Sequence, residues 1–327
     1  MKRIVMPVAF IGWLAFAHGS FGGGQETAIQ AIEKLGGRIE IDDKAQDRPV
    51  IRVDFSRTEA PDTALEHLKD LTQLRQLELC STAVTDSGLE RLQGLTQLKQ
   101  LGLAHTQVTD AGLRRLTGLT QLQRLDLDGC QITDAGLECL KSLTQLQQLR
   151  LCWNKVTDAG LVHLEGLTQL QTLCIVDTRV TDAGLKHLTG LTQLRHLDLG
   201  GDAVTNAGLE HLKGLTQLQR LDLDRTKVTD AGLKYIAGFA QLQQLNLNGV
   251  RVTDSGLRYL KDMTQLQQLG LGATIIGGLG GTPVTDAGLQ HLKGLTQLQR
   301  LDLDYTRVTD AGAKSLQQAL PALKIVR

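Results

Sequence analysis

Aromatic side chains are scarce in this chain of 327 residues: two tryptophans, three tyrosines and five phenylalanines. Few platforms therefore exist on which sugars or bases could stack. Net charge is absent too, because 35 basic side chains balance 35 acidic ones. No strong field steers the chain toward nucleic acid or an anionic membrane. Beyond the first residues, no apolar run is long enough to span a bilayer. There is no HExxH, Walker or dinucleotide fingerprint, and the scattered serines and histidines form no nucleophile–base arrangement. Nothing here supports an enzyme, so no cofactor and no metal are expected. The five cysteines, Cys80, Cys130, Cys139, Cys152 and Cys174, are odd in number and match no paired CxxC zinc pattern.

The opening, MKRIVMPVAFIGWLAFAHGS, carries export information. Lys2 and Arg3 start it, Ile4 to Leu14 are apolar, and Ala15-Phe16-Ala17 offers small residues at cleavage spacing. Residues 1–17 read as a secretory signal, which implies a periplasmic, cell-surface or extracellular protein. Its removal would leave 33 basic against 35 acidic side chains. Residues 18–24 read as a flexible linker, and 25–46 as an N-terminal cap with a short helix ending at Gly36 and a strand at Arg38 to Ile41.

From Leu71 the chain repeats every 24 residues, from LTQLRQLELCSTAVTDSGLERLQG (71–94) to LTQLQRLDLDYTRVTDAGAKSLQQ (295–318). Ten such units follow a degenerate one at 47–70, where Val50, Val53, Phe55, Asp62, Leu65 and Leu68 hold the same columns. A fixed period of this size predicts a solenoid. In each unit a piece such as LQQLRL alternates as a strand, with Gln148, Arg150 and Cys152 outward. Thr157 or Asp158 caps a short helix. Leu161 and Leu164 turn that helix's apolar face inward. The glycines of the helix, Gly88, Gly112, Gly136 and their equivalents, permit close coil packing. One coil alone cannot offset its ordering entropy, so neighbours must share a core. Successive strands then stack in parallel at about 4.8 Å. The solenoid is placed at 47–320, and a closing strand at 321–327. Between Leu271 and Val284 the rhythm gains eight residues, an insertion near 273–283. Ile275, Ile276 and Leu279 within it could meet a partner or fold back.

The pattern LxxLxLxxTxVTDAGLxxLxG resembles the leucine-rich repeat. Its VTDAGL segment is similar to the cysteine-containing subfamily of F-box proteins and of many secreted bacterial proteins. The resemblance implies an α/β horseshoe with a parallel concave sheet and short convex helices. The column that often holds cysteine or asparagine in that family is mostly threonine here: Thr82, Thr106, Thr178, Thr226, Thr274 and Thr306; only Cys130 and Asn154 keep the familiar types. These side chains are expected to turn inward to loop backbone groups.

The outward strand positions form the candidate binding face. QRLDLD occurs three times, placing Arg124, Asp126 and Asp128, then Arg220, Asp222 and Asp224, then Arg300, Asp302 and Asp304 on it. Asp54, Glu78 and Asp198 extend the acidic column. Carboxylates at i and i+2 lie about 7 Å apart, which could suit paired-acid glycoside chemistry or calcium. The neighbouring arginines favour a neutralised protein-binding surface instead. Arg150 and Trp153 form a candidate anchor. Cys152 is expected beside Val176, leaving Cys174 on a diagonal near 8 Å, long for a disulfide; the thiols are expected mostly free. His163, His187 and His211 share one convex column with His67, His291, Tyr235 and Tyr259, read as a half-exposed ridge.

The resulting expectation is an exported, non-enzymatic scaffold that binds an unknown protein through Arg124, Asp126, Asp128, Arg150, Trp153, Arg220, Asp222 and Asp224. A self-associating structural envelope protein is the alternative. A substrate-recognition module of the F-box type is a third, opposed by the signal and by the lack of an F-box-like helical segment.

Overall fold

The computed structural model describes residues 23–201, 203–272 and 282–327. The expected signal, most of the linker, Thr274 and the apolar residues of the insertion lie outside these. Helix α1 (Gly23–Lys34) begins two residues inside the stretch expected to be linker. It leads through Gly36, at φ +81°, into strand β1 (Arg38–Ile41).

Twelve further strands follow: β2 (Val50–Asp54), β3 (Gln76–Glu78), β4 (Gln100–Gly102), β5 (Arg124–Asp126), β6 (Gln148–Arg150), β7 (Thr172–Cys174), β8 (His196–Asp198), β9 (Arg220–Asp222), β10 (Gln244–Asn246), β11 (Gln268–Gly270), β12 (Arg300–Asp302) and β13 (Lys324–Val326). They form one open sheet in sequence order. All neighbours from β2 onward are parallel, whereas β1 runs antiparallel to β2. Each register step is one repeat, as in Leu149 against Leu173. The step from β11 to β12, Leu269 against Leu301, absorbs the insertion without a slip.

The core follows from the leucine columns. Leu143, Leu146, Leu149, Leu151, Val156, Leu161 and Leu164 of one coil are all fully buried, and their equivalents repeat in neighbouring coils. One continuous apolar column results, flanked by the sheet on one side and short helical turns on the other. No helix among the described residues is long and apolar enough to cross a membrane.

The VTDAGL segment is a device for joining coils. Thr157 caps the helical turn Asp158–Leu161 by accepting a hydrogen bond from the Ala159 N–H. Asp158, expected as an alternative cap, instead reaches the next coil. Its carboxylate accepts from the Thr181 N–H and hydroxyl, both at 2.7 Å. The same pair of bonds joins most successive coils, from Asp62–Thr85 to Asp286–Thr309. Glycine is required at the third helical residue of each coil that receives such an aspartate from the coil before it. A Cβ on Gly184 would stand 2.5 Å from Asp158 Oδ1. The guanidinium of Arg327 donates to the Asp310 carboxylate and to the Val308 carbonyl.

The threonine column turns inward as expected. Thr82 donates to the Leu79 carbonyl at 2.7 Å, and Asn154 Nδ2 donates to the Leu127, Leu151 and Cys152 carbonyls. Thr282 holds this place after the insertion and donates to the Gly272 carbonyl at 3.4 Å.

Candidate functional site

On the outer face of the sheet, three rows run along the solenoid. The first runs through Arg52 of β2 and the starting residues of β3 to β13. It holds Arg52, Arg124, His196, Arg220, Arg300 and Lys324 among neutral residues, and no acid. The second, two residues on, holds Asp54, Glu78, Asp126, Asp198, Asp222 and Asp302, and Arg150 is its one base. The third, just past the strands, adds Asp128, Asp224 and Asp304. Strand pleat separates adjacent rows by about 7 Å. The parallel register thus sorts balanced charge into a basic stripe beside an acidic one.

The expected site residues fall into two groups. In the first, Arg150 lies across Asp126 and Asp128. Its Nε is 2.7 Å from Asp128 Oδ2, its Nη2 bonds the same oxygen, and Asp126 Oδ2 is 3.5 Å away. Asp128 is only 4% exposed, and its other oxygen accepts from the Cys152 N–H at 2.8 Å. Burial pushes the Asp128 carboxyl above the ordinary carboxylate range, and the Asp126 charge adds to this; Arg150 opposes both. Arg124 starts the neighbouring strand in register with Gln148. In the second group, Asp222 accepts from the Asp224 N–H, Arg220 leans to Asp198 at 3.4 Å, and Asp224 pairs with Arg225 at 3.0 Å. Burial, opposed by Arg220, raises the Asp198 carboxyl, whose Oδ1 has no hydrogen-bond donor.

Cys152 and Cys174 form a disulfide, with their Cα atoms 5.8 Å apart. The expected distance near 8 Å and the expectation of free thiols fail for this pair. The longer diagonal requires a strand that runs straight on past Arg150. Instead the chain turns there, with Trp153 at φ +58° and the Leu151 N–H on the Cys174 carbonyl. Both cysteines are buried, at 1% and 3% exposure, so Cys152 does not point into solvent. Cys80, Cys130 and Cys139 are free, and burial pushes the Cys80 thiol up to about 11.

Asp128, Cys152 and Cys174 also present ligand atoms within 4.8 Å of one another, the one such group of three among the described residues. It does not fit a cation: the sulfurs are bonded to each other, and both Asp128 oxygens already accept hydrogen bonds. On the convex side one member of the histidine column, His187, pairs through Nδ1 with Glu165 at 2.6 Å.

Trp153 stands 53% exposed on the rim where strands turn into loops. Its ring stacks on His105 at 6.0 Å, and its indole N–H donates to Asp177 at 3.1 Å. Arg225 reaches the same carboxylate at 3.3 Å. These side chains occupy one column of left-handed residues: His105, Gly129, Trp153, Asp177, Gly201 and Arg225. The two glycines give room for the bridges. A Cβ at Gly129 would lie 2.3 Å from His105 Nδ1, and one at Gly201 would lie 2.0 Å from Asp177 Oδ1. The rim therefore links the two groups of expected site residues. His105, Asp177 and Arg225 are not among the residues the sequence points to. Their signal is the 24-residue column containing Trp153, in which larger residues are interspersed with glycine.

The geometry defines an α/β solenoid with a polar, charge-striped concave sheet. Residues 118–141, 214–237 and 294–316 match the family described as Leucine Rich repeat. The fold resembles an internalin (inlF) of Listeria monocytogenes, 19% identical, with a TM-score of 0.60 over 92% of this chain and 93% of that one. It also resembles internalin C2 of the same organism, 24% identical, with a TM-score of 0.53 over 76% and 92% of the two chains. A third likeness is to the ectodomain of the Arabidopsis receptor kinase HAESA in complex with an extended IDA peptide hormone. That chain is 17% identical, with a TM-score of 0.62 over 88% of this chain and 50% of its own. Curated proteins give no significant match. The chain has the leucine-rich repeat fold, and three of its segments match that family.

Proposed function

We propose that the protein is an exported, non-enzymatic scaffold that binds another protein on its concave face. The observation that carries this reading is the pairing of a basic with an acidic stripe along one continuous sheet, beside an exposed tryptophan held by Asp177. Complementary charge rows set partner choice and encounter rate more than raw affinity. An exposed, oriented tryptophan is the usual kind of interface anchor. The HAESA ectodomain holds a peptide ligand, which is the kind of partner this architecture suits. The Cys152–Cys174 disulfide agrees with an oxidising compartment outside the cytoplasm, as does the signal-like opening.

The test is capture of partner from envelope or medium fractions by the immobilised protein. Asp126→Lys combined with Asp222→Lys should abolish capture, and Trp153→Ala should weaken it. Glu66→Lys on the convex side should leave it unchanged. Retained capture after reversal of the acidic row, with folding verified by circular dichroism, overturns the concave-face assignment.

A further inference from the structure

The acidic stripe is interrupted between β9 and β12. Two identical copies of QRLDLD, at 219–224 and 299–304, flank β10 and β11. The outward residues of those two coils are uncharged: Gln244, Asn246, Asn248, Gln268, Gly270 and Gly272. A trough of about 240 Å³ opens there, walled by Arg220 and Asp222 on one side and by Arg300 and Asp302 on the other. Its depth comes from Gly270, which leaves the second row without a side chain. A Cβ there would stand 2.7 Å from Asn246 Oδ1 and from Asn248 Oδ1.

The hydrogen bonds show what the trough has left to give. Asp222 accepts from the Asp224 N–H at 2.9 Å and from Asn246 Nδ2 at 3.0 Å. Asp302 accepts from the Asp304 N–H at 3.0 Å and from Asn248 Nδ2 at 3.3 Å. The oxygens of both asparagines are taken by the Asn248 and Gly272 N–H groups. Arg220 is drawn off toward Asp198. Among the described residues, the guanidinium of Arg300 and the carboxamide of Gln268 have no partner, and Lys324 stands in register beside Arg300. Each wall carboxylate is thus already engaged through both oxygens, while Arg300 offers only donors and a positive charge, and the Gln268 carboxamide can add an N–H donor. That is the complement of a carboxylate, which a planar guanidinium holds with two parallel bonds.

We propose that this trough seats an acidic side chain, aspartate or glutamate, of the protein partner, with Arg300 as its ion-pair donor and Gln268 as a second donor. The inference rests on the concave-face reading above. Gly270 provides the space, and Asn246 and Asn248 keep the wall aspartates occupied so that they do not compete for Arg300.

The test uses the full chain and two end-blocked tetrapeptides, one made only of glutamate and the other only of glutamine. Each is titrated while the arginine Nε–H and glutamine side-chain resonances are followed by NMR. The glutamate peptide should shift the Arg300 and Gln268 signals saturably, and the glutamine peptide should not. Arg300→Gln should weaken glutamate-peptide binding by roughly tenfold or more, as expected for loss of a charged hydrogen bond. Gly270→Gln should block binding while leaving the Arg124 signal in place as a folding control. Equal response to both peptides, shifts confined to other arginines such as Arg225, or unchanged binding by Arg300→Gln overturns the proposal. If the glutamate peptide fails while reversal of Asp126 and Asp222 still abolishes capture, the trough assignment falls and the concave-face reading stands. If the peptide binds at Arg300 while those reversals leave capture intact, the trough stands and the broader reading falls.

Discussion

Asp198 shows how a single residue on this face carries a cost. It lies in the acidic row between Cys174 and Asp222. Burial raises its carboxyl above the ordinary value of 3.8, and Arg220 only partly opposes this. The folded state therefore holds a proton that the unfolded chain releases more readily. Between those two values stability falls as pH rises, and the ionised group is a burden at neutral pH. Asp198→Asn should raise the unfolding midpoint at about pH 7. The gain should shrink as pH falls through the raised value and vanish below 3.8, as scanning calorimetry at several pH values would show. Asp286 has the opposite sign. The hydroxyl and N–H of Thr309 hold its carboxyl below the ordinary value. Its contribution is present above that value and is lost as pH falls through the lowered one.

Within the repeated element, the order Thr-Asp-x-Gly is one mechanical unit. Its sequence identified the cap and the tight glycine, but not the aspartate's partner, which lies 23 residues on. Gly160→Ala drives a Cβ to 2.4 Å from Asp134 Oδ1, and should cost about 1–3 kcal/mol, as overpacking does. Gly166 has nothing within 4 Å of its Cβ position and no left-handed φ. Gly166→Ala should be neutral or stabilise by up to about 1 kcal/mol. Denaturant unfolding of the two variants checks the contrast. One coil departs from the unit. Asn206 replaces the aspartate, and its Nδ2 donates to the Thr229 hydroxyl at 2.8 Å. Thr229 then makes no side-chain cap for the helix Asp230–Ile236. Asn206→Asp should restore the cap and add about 0.5–1 kcal/mol, read from the same unfolding curves.

For the whole molecule, stability is a chain of neighbour contacts, so local damage stays local unless something ties coils together. The Cys152–Cys174 disulfide is such a tie, closing a sequence separation of 22 near the middle of the solenoid. Removing it with Cys152→Ala/Cys174→Ala should cost about 3 kcal/mol by the loop-entropy argument. Thiol titration of the unreduced protein in denaturant should find three free thiols, Cys80, Cys130 and Cys139; five would contradict the bridge. The charge stripes belong to this scale too. No single repeat contains a stripe, because each contributes one residue per row, and the stripe exists only once parallel register aligns them.

The sequence by itself determined the solenoid, its period, the buried leucine columns and the strand positions. Each depends on short-range periodicity and on a core that only stacked coils can complete. It also placed the charged residues on the outer face, since strand alternation is local. Tertiary structure alone decided which side chains meet across coils. The chain's turn after Arg150 brought Cys152 to Cys174 where a straight strand would have kept them apart. The left-handed rim column let His105, Asp177 and Arg225 bridge over glycines to gather around Trp153. The bonds to Asn246 and Asn248 left Arg300 free while Arg220 and Arg150 were engaged. Contacts between residues one or two repeats apart depend on turn geometry and on small side chains in between, and these are set only when neighbouring coils are in place.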